Sequence, residues 1–217
     1  MRDKIPFPVL ITTLVFLGLM GRFMVAESHI SSYFERADKS LLLFANQNHS
    51  GFWDAVMKES ASFWFWIPFY CFLLLRLVTY DPVRFSRMAI FIIVYLMVSL
   101  GGLLSFNAFF GHLRPLYDHE FRSSLRIGVG GAGAVYGCLP VCSAAAGLAF
   151  LLALFFGRRY VSLNVLTGLW ALLYIYSRAY NSWNYPREIL IGTGLSLTLG
   201  YLSFRAYRFY LRKNYAG

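Results

Sequence analysis

The sequence predicts an all-α integral membrane protein, one domain of six transmembrane helices with an amphipathic segment lying at the membrane interface. Composition is the first reason: of 217 residues 58% are apolar, 19% aromatic and only 14% charged, which is too apolar for an ordinary soluble domain. The second is the length of the apolar runs, because crossing about 30 Å of hydrocarbon at about 1.5 Å per residue takes roughly 20 residues, so the chain has room for at most six or seven crossings. The third is punctuation, since Pro, Gly and charged stretches separate those runs. The net charge of +10 suits anionic headgroups and cytoplasmic anchoring, and with no basic low-complexity tail it does not indicate nucleic acid. Three cysteines, Cys71, Cys138 and Cys142, form no CxxC, and an odd count excludes a fully paired disulfide framework.

Taken in order, Pro6 to Val25 is long enough to span and lacks a small-residue cleavage site, so it is expected to be an uncleaved first helix with Arg22 snorkelling near its outer end. Residues 27–60 mix charges with Phe34, Leu41, Leu42, Leu43, Phe52 and Trp53, as an outer interfacial segment does. Ser62 to Tyr80 is the second crossing, with Trp64, Trp66, Tyr70 and Tyr80 as aromatic belts and Asp81-Pro82 as its stop. After a short basic loop, 83–87, Met88 to Phe110 is the third, and its Gly101-Gly102 pair permits close approach of a neighbour. A polar Gly-rich stretch leads to the fourth, Leu139 to Phe156. Val161 to Tyr176 and Ile189 to Phe204 complete the six, and 205–217 is a basic cytoplasmic tail. Inner termini leave eleven basic and two acidic residues inside against nine and eight outside, so the Lys/Arg bias favours both ends in the cytoplasm.

With that topology three outer segments end helices together: Asn107 to Pro115 (NAFFGHLRP), Tyr136 to Ala146 (YGCLPVCSAAA) and Ser177 to Glu188 (SRAYNSWNYPRE). Arginine at the membrane boundary beside small polar residues offers forked donors matched to phosphate, although such arginines also simply snorkel to lipid phosphates. The order and spacing of these segments resemble the type 2 phosphatidic acid phosphatase superfamily, the lipid phosphate phosphatases. That family's first signature is Lys, six residues, Arg-Pro; here it reads Asn107, six residues, Arg114-Pro115. Its Pro-Ser-Gly-His reads Pro140-Val141-Cys142-Ser143. Its third, Ser-Arg, five residues, His, three residues, Asp, reads Ser177-Arg178, five residues, Asn184, three residues, Glu188. Asn184-Tyr185-Pro186 stands for His-Tyr-Pro, and the likeness runs from about Ser50 to Leu202.

The resemblance implies a six-helix membrane enzyme whose third-signature histidine is the phosphoryl nucleophile and whose second-signature histidine protonates the leaving oxygen. Neither is present. Asn184 stands at the nucleophile position, and an amide has no useful basic lone pair. The acid position falls on Ser143 when Pro140 anchors the alignment and on Cys142 when Tyr136-Gly137 does. Asn107 replaces the lysine and Glu188 the aspartate, so the longer acid is expected to have no histidine left to orient. Arg114, Ser177, Arg178 and, in the lysine's place, Asn107 remain as phosphate-binding candidates. Losing a nucleophile costs about 10⁶ in turnover, and about 10³ over water can survive from electrostatics. The expected function is therefore a lipid phosphate phosphatase-like bundle without catalysis, which binds the phosphate or diphosphate head of a membrane lipid (lipid A, a polyprenyl carrier or a phosphatidyl lipid) in the bacterial inner membrane with its site facing the periplasm.

Two alternatives stay open. One is an active lipid phosphatase or phosphotransferase using His112 or Cys142, the former two residues before Arg114, the latter a potential thiolate near arginines. The other is a purely structural membrane protein with a vestigial niche. No cofactor or metal is indicated, because Asp118-His119-Glu120 lacks a spaced set of partners. The run GVGGAGAVYG lacks the GK[ST] ending of a nucleotide loop. A protein partner is not legible in the sequence.

Overall fold

The computed structural model describes residues 29–80, 82–118, 121–126 and 135–215. The expected first crossing, most of the Gly-rich run and the pair His119-Glu120 lie outside them. The chain divides into two compact units, Met1–Ser40 and Leu41–Gly217. In the first unit the described residues belong to α1 (His29–Gln47), where Glu35 and Lys39 form an ion pair at 2.9 Å one helical turn apart.

In the second unit α1 ends at Gln47 and α2 (Gly51–Ser60) starts after a short break, with the Ser50 hydroxyl accepting from the Trp53 N–H at 3.3 Å as its N-cap. Phe44, Phe52 and Trp53 are exposed, as befits a segment with an apolar outer side. A 3₁₀ turn, Trp64–Trp66, then leads into α3 (Ile67–Tyr80), and the chain bends by 85° between α2 and this second stretch. α4 runs from Pro82 to Phe110. Residues 83–87, expected as a loop, are its first turns, because proline at a helix start has no intrahelical N–H to lose and its fixed φ suits the first turn.

α5 (Ala144–Phe156) follows a 3₁₀ turn at Val141–Ser143 and ends at Gly157, whose φ of 61° is in the left-handed region. Past a second 3₁₀ turn come α6 (Val161–Tyr180) and α7 (Pro186–Tyr215). α7 does not stop near Phe204, so the basic residues expected in a tail occupy its last turns. Among the described residues two helices are long and apolar enough to cross a membrane, Phe85–Phe109 and Pro186–Asn214, or three if the bent pair Gly51–Ser60 with Trp64–Thr79 is one span. The expectation of six crossings is met only to that extent. α5 is apolar but has only 13 residues, about 20 Å of rise, and α6 carries Ser162, Asn164, Thr167, Ser177 and Arg178 along its length.

The tightest packing is between α5 and α7. A Cβ on Gly147 would collide with the Ser196 carbonyl and the Tyr95 hydroxyl, and one on Gly200 would lie 2.6 Å from the Gly147 carbonyl oxygen, so these two glycines let the backbones touch. Tyr95 donates to the Ala144 carbonyl at 2.8 Å across the contact. Below it Leu151, Leu152, Phe155 and Phe156 pack with Leu73, Leu77, Met88 and Tyr207. Ile90, Ile93 and Met97 of α4 and Val165, Leu169 and Leu172 of α6 face outward, the lipid side of an apolar bundle. One feature departs from an all-α fold: β1 (His112–Leu113) pairs antiparallel with β2 (Tyr136–Gly137), His112 opposite Gly137 and Leu113 opposite Tyr136.

Candidate functional site

That small pairing brings the first two signature segments together. Arg114 continues β1 in extended conformation before Pro115, and its N–H donates to the Val135 carbonyl at 3.2 Å. Its guanidinium lies flat on Gly137, where a Cβ would be 2.6 Å from Nε; any larger residue there would displace the arginine. Asn107, one turn before the end of α4, ties the same loop from the other side. Its Oδ1 accepts from the N–H groups of Cys138 at 3.0 Å and Leu139 at 2.7 Å, and its Nδ2 donates to the Leu139 carbonyl at 2.8 Å. The carboxamide standing where the family has lysine thus spends its hydrogen bonds on the backbone of the second signature.

The third segment is shaped by a helix C-cap. The Trp183 N–H bonds the Arg178 carbonyl at 2.9 Å and the Ser182 N–H bonds the Ala179 carbonyl at 3.0 Å, the paired bonds of a Schellman turn, with Ser182 left-handed at φ 56°. This folds Trp183 back over the residue whose carbonyl it caps, so its ring lies 4.6 Å from the Arg178 guanidinium carbon, and Tyr174, one turn earlier, lies 5.3 Å away. Arg178 also donates to the Ala61 carbonyl at 3.0 Å and to the Tyr174 hydroxyl at 3.3 Å. Tyr174 was readable from helical spacing; Trp183 depends on the turn and was not.

Pro186 opens α7, and Glu188 accepts from the N–H of Tyr185 at 3.2 Å, half of a capping box. The same carboxylate oxygen accepts from Asn184 Nδ2 at 2.9 Å, and Nδ2 also reaches the Cys138 carbonyl at 3.4 Å. With no histidine to orient, Glu188 instead holds the side chain at the nucleophile position, an amide in place of an imidazole. Asn184 and Glu188 are 2% and 1% exposed.

Electrostatics join the pieces. Burial, then the like charge of Arg178, hold the Arg114 guanidinium below its ordinary value, while Glu188 acts in the opposite direction. The two arginines and the carboxylate therefore share one field. Cys142 is buried with its thiol against Arg178. Ser143, 0% exposed, is in the same turn and its hydroxyl lies against Gly192 of α7, where a Cβ would be 2.6 Å away. Arg114 Nε, Arg178 Nε and Ser143 Oγ, one from each segment, are among the buried donors with no hydrogen-bond partner. Native structures seldom leave such groups unpaired. Ser177 is built into the helix, its hydroxyl donating to the Tyr174 carbonyl at 2.7 Å. His112 contributes its backbone to β1, and its side chain lies outside the described residues.

A second polar cluster borders the first. Asp54 of α2 forms an ion pair with Arg126 and accepts from the Tyr180 hydroxyl at 2.7 Å, while Asn46 accepts from the Arg126 N–H at 2.7 Å and donates to the Tyr180 carbonyl at 3.0 Å. Tyr180 and Asp54 fasten the C-terminal end of α6 to α2. Sequence spacing gave no hint of this cluster, whose members lie up to 134 residues apart.

No family profile matches the sequence. Lipid A 4'-phosphatase of Bacteroides thetaiotaomicron is 30% identical to it over 162 residues, 71% of this chain and 70% of that protein. The crystal structure of LpxE from Aquifex aeolicus matches the fold with a TM-score of 0.55 at 18% identity, covering 76% of this chain and 93% of that one. The converging signature segments have their counterpart in that relationship, and the chain belongs to the type 2 phosphatidic acid phosphatase superfamily.

Proposed function

We propose that this protein binds the phosphate-bearing head of a membrane lipid at the outer face of the bacterial inner membrane, both termini being cytoplasmic, and does so without hydrolysing it. The observation that carries the reading is the set of buried, unpartnered donors on Arg114, Arg178 and Ser143 beside an asparagine at the nucleophile position. Guanidinium and hydroxyl groups grip phosphate oxygens. Asn184, with its amide nitrogen committed to Glu188 and the Cys138 carbonyl, cannot carry a phosphoryl group. The relative from B. thetaiotaomicron is named for acting on lipid A, which makes a phosphorylated lipid the natural class of ligand.

The test is lipid binding by the full chain in detergent, with Arg114→Ala and Arg178→Ala as variants. Each is expected to weaken binding of short-chain phospholipids by about tenfold to a hundredfold, since a charge-assisted hydrogen bond contributes about 1.5–3 kcal/mol; binding that is unchanged in the double variant refutes the reading. A second reading, an active lipid phosphatase or phosphotransferase, would use Cys142 or His112, but burial pushes the Cys142 thiol up to about 11 despite Arg178 beside it, which disfavours a thiolate. Phosphate release that stops in Cys142→Ala or His112→Ala establishes it in place of the first.

A further inference from the structure

The charge of the niche selects among phosphate chemistries. Arg114 lies in the field of Arg178 and of one carboxylate, Glu188, and the neutral groups beside the two arginines are Tyr117, Tyr174 and Cys142. Further out, Arg187 lies over the Tyr185 ring at 5.6 Å and Asp118 accepts from the Tyr185 hydroxyl at 3.4 Å, so these two opposite charges offset each other. Among the described residues the niche therefore carries a single net positive charge with or without the outer pair. Asn107 and Asn184, the two carboxamides at positions where the family is ionisable, add nothing to it. Asn107 is spent on the 138–139 backbone and Asn184 on Glu188 and the Cys138 carbonyl.

A buried site is most stable when its occupant cancels its charge, because any residual charge there is costly to desolvate. A phosphomonoester carries about −1.5 to −2 at neutral pH and leaves the filled niche negative, and a diphosphate does so more strongly. A phosphodiester carries one charge at every pH above its strongly acidic ionisation and leaves it neutral. Its two non-bridging oxygens can take the Nε–H groups of Arg114 and Arg178, and the Ser143 hydroxyl is left for an ester oxygen. We propose that the niche takes a singly charged phosphodiester lipid headgroup in preference to a phosphomonoester or diphosphate. This rests on the lipid phosphate-binding reading above and narrows its ligand.

The experiment titrates the detergent-purified full chain with dihexanoyl phosphatidylglycerol, a diester, and dihexanoyl phosphatidic acid, a monoester, at pH 8.0 and pH 5.5, with dimethyl phosphate and inorganic phosphate as competitors. At pH 8.0 the diester is expected to bind about tenfold or more tighter than the monoester. At pH 5.5 the gap closes, because the monoester's second ionisation lies near about pH 6; the diester, unchanged between the two, controls for titration of the protein. Glu188→Gln raises the niche charge by one and is expected to move the preference at pH 8.0 about tenfold toward the monoester. Tighter or equal monoester binding at pH 8.0 in the wild type, or a preference unmoved by Glu188→Gln, overturns the inference. Binding of neither lipid, or binding of both unaltered in the Arg114→Gln/Arg178→Gln double variant, overturns the phosphate-binding reading itself. Competition by dimethyl phosphate assigns recognition to the headgroup; failure of both anions to compete, with binding insensitive to the arginines, assigns it to the acyl chains and refutes the proposal.

Discussion

Asn107 is the residue at which the chain departs from its family with the clearest structural consequence. Its single Oδ1 accepts from two successive backbone N–H groups. Removing it in Asn107→Ala leaves those donors without an acceptor, at a cost of about 1–3 kcal/mol, visible as a lowered midpoint of thermal unfolding in detergent. Asn107→Lys is expected to lose as much, because an ammonium has no acceptor to offer. A midpoint unchanged in both variants shows that the 138–139 loop is held without this side chain. Ser182 is the opposite case. It sits at φ 56°, where a side chain costs about 1–2 kcal/mol that glycine does not incur, and its buried hydroxyl has no partner. Ser182→Gly is expected to raise the unfolding midpoint, by up to about 1 kcal/mol of stability once the extra freedom of the unfolded glycine is counted, and to leave Trp183 over Arg178. Unfolding at or below the wild-type midpoint sinks this account of the turn.

Between elements, the cluster around Asp54 joins α2 to the end of α6 and to the loop at Arg126. Hydrogen bonds from Tyr180 and Arg126 hold the Asp54 carboxyl below its ordinary value. A group whose folded value is depressed stabilises the fold above its unfolded value and loses that contribution as pH falls through the folded one. Wild-type protein is therefore expected to lose stability as pH drops from neutral to below the usual carboxylate range, near about 3.9, and Asp54→Asn is expected to be less stable at pH 7 with a shallower decline in acid. Equal acid slopes for the two proteins in thermal unfolding dispose of the claim. This cluster also marks a limit of sequence reading at the scale of elements. Helix interiors were legible because apolar runs repeat, and α4 and α7 lie where those runs lie. Their ends were not. Asp81-Pro82 reads equally as the stop of one helix and the start of the next, and the structure uses Pro82 as a start; the basic residues after Phe204 read as a tail because hydropathy ends before helicity does.

For the whole molecule, the candidate site was legible where chemistry has a fixed sequence spacing, and the bundle only in outline. Arg114, Arg178, Asn184 and Glu188 were found by their intervals. The β1–β2 pairing that lays Arg114 on Gly137 was not, since two residues on each strand leave no periodicity to detect. The orientation read from Lys and Arg is a property of the whole chain, and it yields a decisive experiment. If the Lys/Arg excess retains the termini in the cytoplasm, single cysteines at Arg2 and Asn214 in a background lacking Cys71, Cys138 and Cys142 escape a membrane-impermeant maleimide applied to intact cells. A cysteine at Asn48, in the exposed break between α1 and α2, is labelled. Labelling at both ends with protection at Asn48 inverts the protein and turns the Arg114–Arg178 niche toward the cytoplasm, where the lipids it meets come from the other leaflet. Labelling at only one end implies an odd number of crossings, which the two firm spans among the described residues would have to reach with an uneven contribution from α3, α5, α6 and the chain before His29.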